Sequence, residues 1–199
     1  MLHLPRWATD CLKRADPALA ASTRPLVLWE KQKGAMRLVG LDPSASQYGL
    51  NIGQSLSDAR AIVPDLDARE IDRGFTEQIF ADFADWHSNA SPIVSVLTDQ
   101  SAYGDLCLDI TGVSHLFGGE QAMLEQVLGR LRGLGFTVEG AVASTIGTAW
   151  AMAHFSPGRI VAEGVEDKAL QSLPVAALRL EEIQVDGLNQ LGLKRIGQL

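Results

Sequence analysis

Residues 105–120, DLCLDITGVSHLFGGE, carry the reading that decides the fold. Leu106, Leu108 and Ile110 alternate with Asp105, Cys107 and Asp109, the period-two pattern of a strand with one apolar face, so a strand is expected over residues 103–110. Thr111, Gly112 and the pair Gly118 and Gly119 break that pattern. Glu120 then opens a helical repeat carried by Met123, Val127, Leu128, Leu131 and Leu134. The segment reads strand, turn, helix. The two glycines ahead of the helix could cradle an anion, but a plain helix entry is the leading reading.

Working outward, residues 93–97 supply a hairpin partner for this strand, and residues 1–7 read as a short first strand followed by a helical stretch around Cys11, Leu12 and Lys13. Residues 26–29 and 36–39 form an expected hairpin turning at Gly34. Arg24, Lys31, Lys33 and Arg37 make it locally basic, and a solvated surface is favoured over a binding patch. Ser55, Leu56, Ser57 and Asp58 look like a capping box for a helix through Ala59, Ile62 and Val63, ended by Pro64. Residues 75–87 predict an amphipathic helix with Ile79, Phe80, Phe83 and Trp86 inward. A strand over 136–143, a small-residue helix over 146–155 and a short strand over 159–162 follow. The order strand, insertion, helix, strand, strand, helix, strand is that of an α+β, ferredoxin-like (split βαβ) sheet.

Composition narrows the function. A formal net charge of -7 over 199 residues argues against strong autonomous binding to a polyanion. Cys11 and Cys107 lack zinc-type spacing and read as small buried thiols of a reduced protein. No run of about 18 apolar residues occurs, so a soluble, cytoplasmic protein is expected.

The run 105–112, with Thr111 and Gly112 at its end, resembles the palm of the Y-family (translesion, UmuC/DinB-like) DNA polymerases, whose pattern there is Ser-Ile-Asp-Glu-Ala-Tyr-Leu-Asp-Leu-Thr-Gly. The continuation His115, Leu116, Phe117, Gly118, Gly119, Glu120 is similar to the ImuB-like branch, regarded as having lost polymerase activity. The resemblance covers nearly the whole chain in order. It implies a palm with an inserted small fingers lobe and the start of a helical helix-hairpin-helix thumb. Residues 1–10 would be the first palm strand, 11–74 the fingers-like insertion, 75–164 the palm and 165–199 the thumb start, with the chain read as a fragment whose downstream domain is missing.

Aligned on Thr111 and Gly112, Asp109 falls on the family's second Asp, Asp105 on its catalytic Glu and Gly104 on its catalytic Asp. Leu4 falls on the carboxylate that ends the first strand. Asp105 and Asp109 share a strand face about 13 Å apart, too far for one metal. Asp105 is then a relic or, in the leading reading, a surface carboxylate, and Asp109 a turn residue. In the fingers, Pro43 and Ser46 stand where the family has a triphosphate-binding Tyr and Arg, and no Lys occurs between Lys33 and Lys168. In the thumb, Leu180, Glu181, Glu182 and Ile183 replace a phosphate-holding hairpin, whereas Leu191, Gly192 and Leu193 keep the look of the second.

Other chemistry is thin. His3, His87, His115 and His154 show no mutual ligand spacing, and His87 reads as a boundary residue. Trp150 reads as core, or if exposed as a partner surface. No catalytic, cofactor-binding or metal-ligating set is therefore expected, and no cofactor. The resemblance implies an adaptor in bacterial DNA-damage tolerance, with an ImuA-like protein, a damage-inducible replicative-type polymerase and the sliding clamp as partners, the clamp through a region outside this sequence. The rivals are a divergent active polymerase (nucleotidyltransferase) using Asp105, and a DNA-binding module, against which the acidic balance weighs.

Overall fold

The computed structural model describes residues 1–97 and 104–199. The first strand, β1 (Leu2–His3), is shorter than expected, because Pro5 lacks a ladder donor and Trp7 already begins helix α1 (Trp7–Ala15). Asp16 caps the next helix, α2 (Pro17–Ala21), accepting from the amides of Ala18 and Leu19. Strands β2 (Leu26–Gln32) and β3 (Ala35–Leu41) pair antiparallel about Lys33 and Gly34, whose φ values of 48° and 85° are those of a tight twisted hairpin turn. Helices α3 (Pro43–Gln47) and α4 (Leu56–Ile62) follow, the second capped by Ser55 as its sequence predicts, and β4 (Asp67–Glu70) returns parallel to β2. This lobe has its own core, in which Val27 and Leu38 pack with Ala45, Leu50, Leu56, Ala59 and Leu66.

Helix α5 (Arg73–Trp86) leads to β5 (Ile93–Val96) and β6 (Asp105–Asp109), which pair antiparallel as expected; Tyr103, read as part of that strand, lies outside the described residues. Helix α6 (Glu120–Gly133) follows Gly119 as its N-cap. The single strand expected over 136–143 is split. Its first half, β7 (Glu139–Gly140), joins β1, while β8 (Val142–Ala143) pairs with β9 (Ile160–Val161) in a separate ladder, on either side of the wholly buried Ala141. Between them runs α7 (Ile146–Phe155), and α8 (Glu166–Leu170) and α9 (Glu182–Gln190) complete the chain.

The main sheet has the order β5-β6-β1-β7, with every neighbouring pair antiparallel. That is the split βαβ arrangement. Alternation gives its two faces different fates. Leu2, Leu4 and Leu106 point into a core with Trp7, Phe80, Phe83, Leu124, Leu128 and Phe136, beneath α5 and α6. On the other face Met1 and Ala141 pack under Ala149, Met152 and Ala153 of α7, with Cys107 at the margin. The lobes are tied by Asp42, which accepts from the Ala45 amide at 2.7 Å and pairs with Lys13 of α1 at 2.5 Å.

Two assignments at the end of α5, Trp86 as inward and His87 as a boundary residue, need correction. Trp86 is 38% exposed and lies under the Arg130 guanidinium, 4.6 Å from its ring centroid, because it ends α5 at the rim. His87 is not a boundary residue but is 2% exposed, its Nδ1 donating to Phe83 O at 2.8 Å and its Nε2 without a partner.

Phe80 touches the ring of Trp7 edge-on at 4.8 Å, so Phe80→Ala should cost about 3–5 kcal/mol in urea denaturation, through the cavity it leaves. Burial pushes the His87 imidazole below its usual range, and the Phe83 hydrogen bond only partly opposes this. The folded chain therefore resists a proton that the unfolded chain accepts near pH 6.5. Its contribution is present above about pH 6.5 and lost as pH falls, at up to about 1.4 kcal/mol per pH unit. Denaturation between about pH 7.5 and 5.5 should show this slope, and His87→Gln should flatten it.

Candidate functional site

The register of β1 against β6 places His3 directly opposite Asp105, on the sheet face that α7 covers. Thr145 starts α7 by accepting from the Thr148 amide, and the helix then projects Trp150 and His154, four residues apart, from one side. Three elements so converge on one carboxylate. His3 Nδ1–H donates to Asp105 Oδ1 at 2.7 Å, Trp150 Nε1–H donates to Oδ2 at 2.8 Å, and His154 Nε2–H lies 3.0 Å from both oxygens. The two imidazoles lie against each other, tilted by 30° with centroids 3.6 Å apart, and Trp150 stacks on His154 at 4.1 Å.

Asp105 is 6% exposed and so not the surface carboxylate expected. Burial alone would raise its pKa, but the hydrogen bonds from His154 and His3 outweigh that and hold the carboxyl well below the usual range. The histidines also depart from the sequence reading. His3 and His154 share a partner across the fold, and the donor atoms of His3, Asp105 and His154 all lie within 4.8 Å of one another. Trp150 is half-buried and hydrogen-bonded rather than plain core.

The magnesium pair that the family resemblance implies needs several converging carboxylates. The residues present do not fit it. Leu4 is 1% exposed inside the apolar core, and His3, one residue earlier, is the side chain that shares a face with Asp105. Gly104 accepts from the Leu4 amide at 2.7 Å, and a Cβ at Gly104 would sit 2.6 Å from Leu4 O. Asp109 is exposed and accepts from the Thr111 amide at 2.9 Å, the turn role its sequence context suggests.

In the fingers-like lobe, Pro43 occupies the first turn of α3 and Ser46 Oγ donates to Asp42 O. No Lys or Arg occurs between Arg37 and Arg60. Of the basic hairpin residues, Arg24 pairs with Asp65 and Arg37 donates to Gly53 O. Glu181 and Glu182 open α9, where the helix dipole favours them, and Gly192, just after that helix, adopts φ +84°. Burial pushes the Cys11 thiol up to about 12, and Cys107 is half-buried. Among the described residues, no helix is long and apolar enough to cross a membrane.

Sequence reasoning missed the cluster because its members are 102 and 49 residues apart. The signal present was local: Trp150 and His154 at helical spacing, and a polar His3 alternating with Leu2 and Leu4 in a strand.

Asp105→Ala leaves three buried or half-buried donors without their acceptor. It should cost about 3 kcal/mol in chemical denaturation, while Asp109→Ala should stay within about 1 kcal/mol.

The impB/mucB/samB family matches residues 3–154. Protein ImuB of Caulobacter vibrioides, in strain NA1000 / CB15N and in strain ATCC 19089 / CIP 103742 / CB 15, is 41% identical over 152 residues, 76% of this chain and 32% of that protein. The chain thus spans about a third of the length of these curated relatives. Among solved structures, DinB from Sulfolobus solfataricus superposes with a TM-score of 0.75 at 15% identity, over 98% of this chain and 57% of that one. An insertion ternary complex of Dbh DNA polymerase gives 0.72 at 15% identity, over 98% and 57%. At these identities the two structures speak for the fold alone.

Proposed function

The chain belongs to the impB/mucB/samB family, and we propose that it serves there as the non-catalytic adaptor of a bacterial translesion system, in DNA-damage tolerance and induced mutagenesis. The observation that carries the reading is the makeup of the palm face. One carboxylate, Asp105, is enclosed by two imidazoles and an indole, and the positions aligned with the family's catalytic Asp and its first-strand carboxylate hold a glycine with no room for a side chain and a core leucine. The fingers-like lobe adds to it. Pro43 and Ser46 offer no cation, and the nearest basic residues in sequence are Arg37 and Arg60.

A polymerase fold kept with its cores intact and its phosphate chemistry replaced suits a scaffold. In this reading the chain presents its surfaces to an ImuA-like protein and to a damage-inducible replicative-type polymerase that performs the synthesis. The sliding clamp would bind through a region outside this sequence. DNA contact is weak, since the net charge is -7 and two of the four basic hairpin residues are engaged within the protein. The location is the cytoplasm.

The full-length protein, purified, should not extend a primed template with magnesium or manganese. Incorporation on the template that Asp105→Ala abolishes would overturn the adaptor reading and favour a divergent polymerase. Co-purification of the partner polymerase from damaged cells should persist in a variant that leaves the fold unchanged, such as Asp109→Ala.

A further inference from the structure

We propose that His3, Asp105 and His154 form a binding site for one divalent transition-metal ion of the zinc class, built where the palm carries its carboxylate. The donor set is two imidazole nitrogens and one carboxylate oxygen, from β1, β6 and α7, with all three ligand atoms within 4.8 Å of one another. Nitrogen-rich sets of this kind select zinc, cobalt(II) or iron(II), whereas magnesium prefers oxygen donors.

The supporting contact is in place. Trp150 Nε1–H holds Asp105 Oδ2 at 2.8 Å, which leaves Oδ1 for the ion, and its ring fixes His154 by stacking. Such outer partners orient ligands and strengthen metal affinity. The side chains of His3 and His154 are each 16% exposed, enough for entry and for water in a remaining position, while Asp105 stays enclosed. On binding, the ion replaces the two N–H contacts to the carboxylate. Each coordinating nitrogen gives up its proton to solvent as the metal–nitrogen bond forms, the other ring nitrogen keeps or takes one, and no oxidation state changes.

The ion would pin α7 to β1 and β6 at the point where the Asp105 hydrogen bonds and small apolar contacts already join them. The site goes beyond the adaptor reading and does not rest on it, because the test involves neither DNA nor partners.

The chain, without a polyhistidine tag and stripped with chelator, is titrated with cobalt(II). One equivalent should bind with the visible absorption of a low-coordinate nitrogen and oxygen site, zinc should displace it, and magnesium should not. Zinc should also raise the melting temperature of the unaltered chain by mass action, a readout that needs no variant. His3→Gln and His154→Gln should each weaken cobalt binding at least about tenfold, and Trp150→Phe about tenfold, while His115→Gln leaves it unchanged. No cobalt spectrum together with no zinc-induced shift overturns the site. So does binding that survives both His3→Gln and His154→Gln in chains whose circular dichroism is native.

Discussion

The Asp105 carboxylate is the point on which the palm is organised. A buried anion is tolerable only with donors aimed at it. Here they come from the first strand, through His3, and from α7, through Trp150 and His154. The edge-to-edge pairing of β1 with β6 is short, two residue pairs in all, so side-chain contacts must supply part of what a longer ladder would give. This network closes one face of the sheet while ordinary apolar packing of Trp7, Phe80, Phe83 and Phe136 closes the other. Both faces bury apolar side chains, and the α7 face adds directional hydrogen bonds to a buried carboxylate.

The inserted lobe is coupled to this sheet by a comparably economical device. Asp42 is fully buried, and it caps α3 with one oxygen while its other meets Lys13 on α1, the helix whose Trp7 and Cys11 sit in the main core. A single side chain therefore sets both the start of a helix inside the lobe and one of the lobe's tethers to the rest, beside the Arg73–Glu30 pair between α5 and β2. Its enclosure makes the contact directional, since a buried pair tolerates little displacement.

Much of the architecture was legible in the sequence. The alternation of Leu106 and Leu108, the Ser55 cap and the Gly34 turn each stated a local rule that the fold obeys. Errors fell where a local pattern was interrupted by a tertiary demand. Residues 136–143 have strand composition throughout, yet Ala141 passes from one sheet to another, a choice made by the neighbours of β7 and β8 rather than by their own residues. Trp86 and His87 exchanged roles because the turn beyond α5 rotates the small ring inward and leaves the indole at the rim. The candidate site was the least legible part. His3 and His154 are far apart in sequence, and only strand register and helix placement bring them to one carboxylate.

The close approach of Gly104 to Leu4 bears on evolution. A glycine codon is one base from an aspartate codon, so in the genetic code a carboxylate at this position is always near. In space it is not, because any Cβ there meets the Leu4 carbonyl at 2.6 Å. A mutant must first move the backbone after β1, and that backbone is anchored by the same Leu4 amide that bonds Gly104. The packing works as a barrier: the sequence is free to drift elsewhere, but a step toward a carboxylate at residue 104 passes through a destabilised intermediate that selection for a folded protein removes.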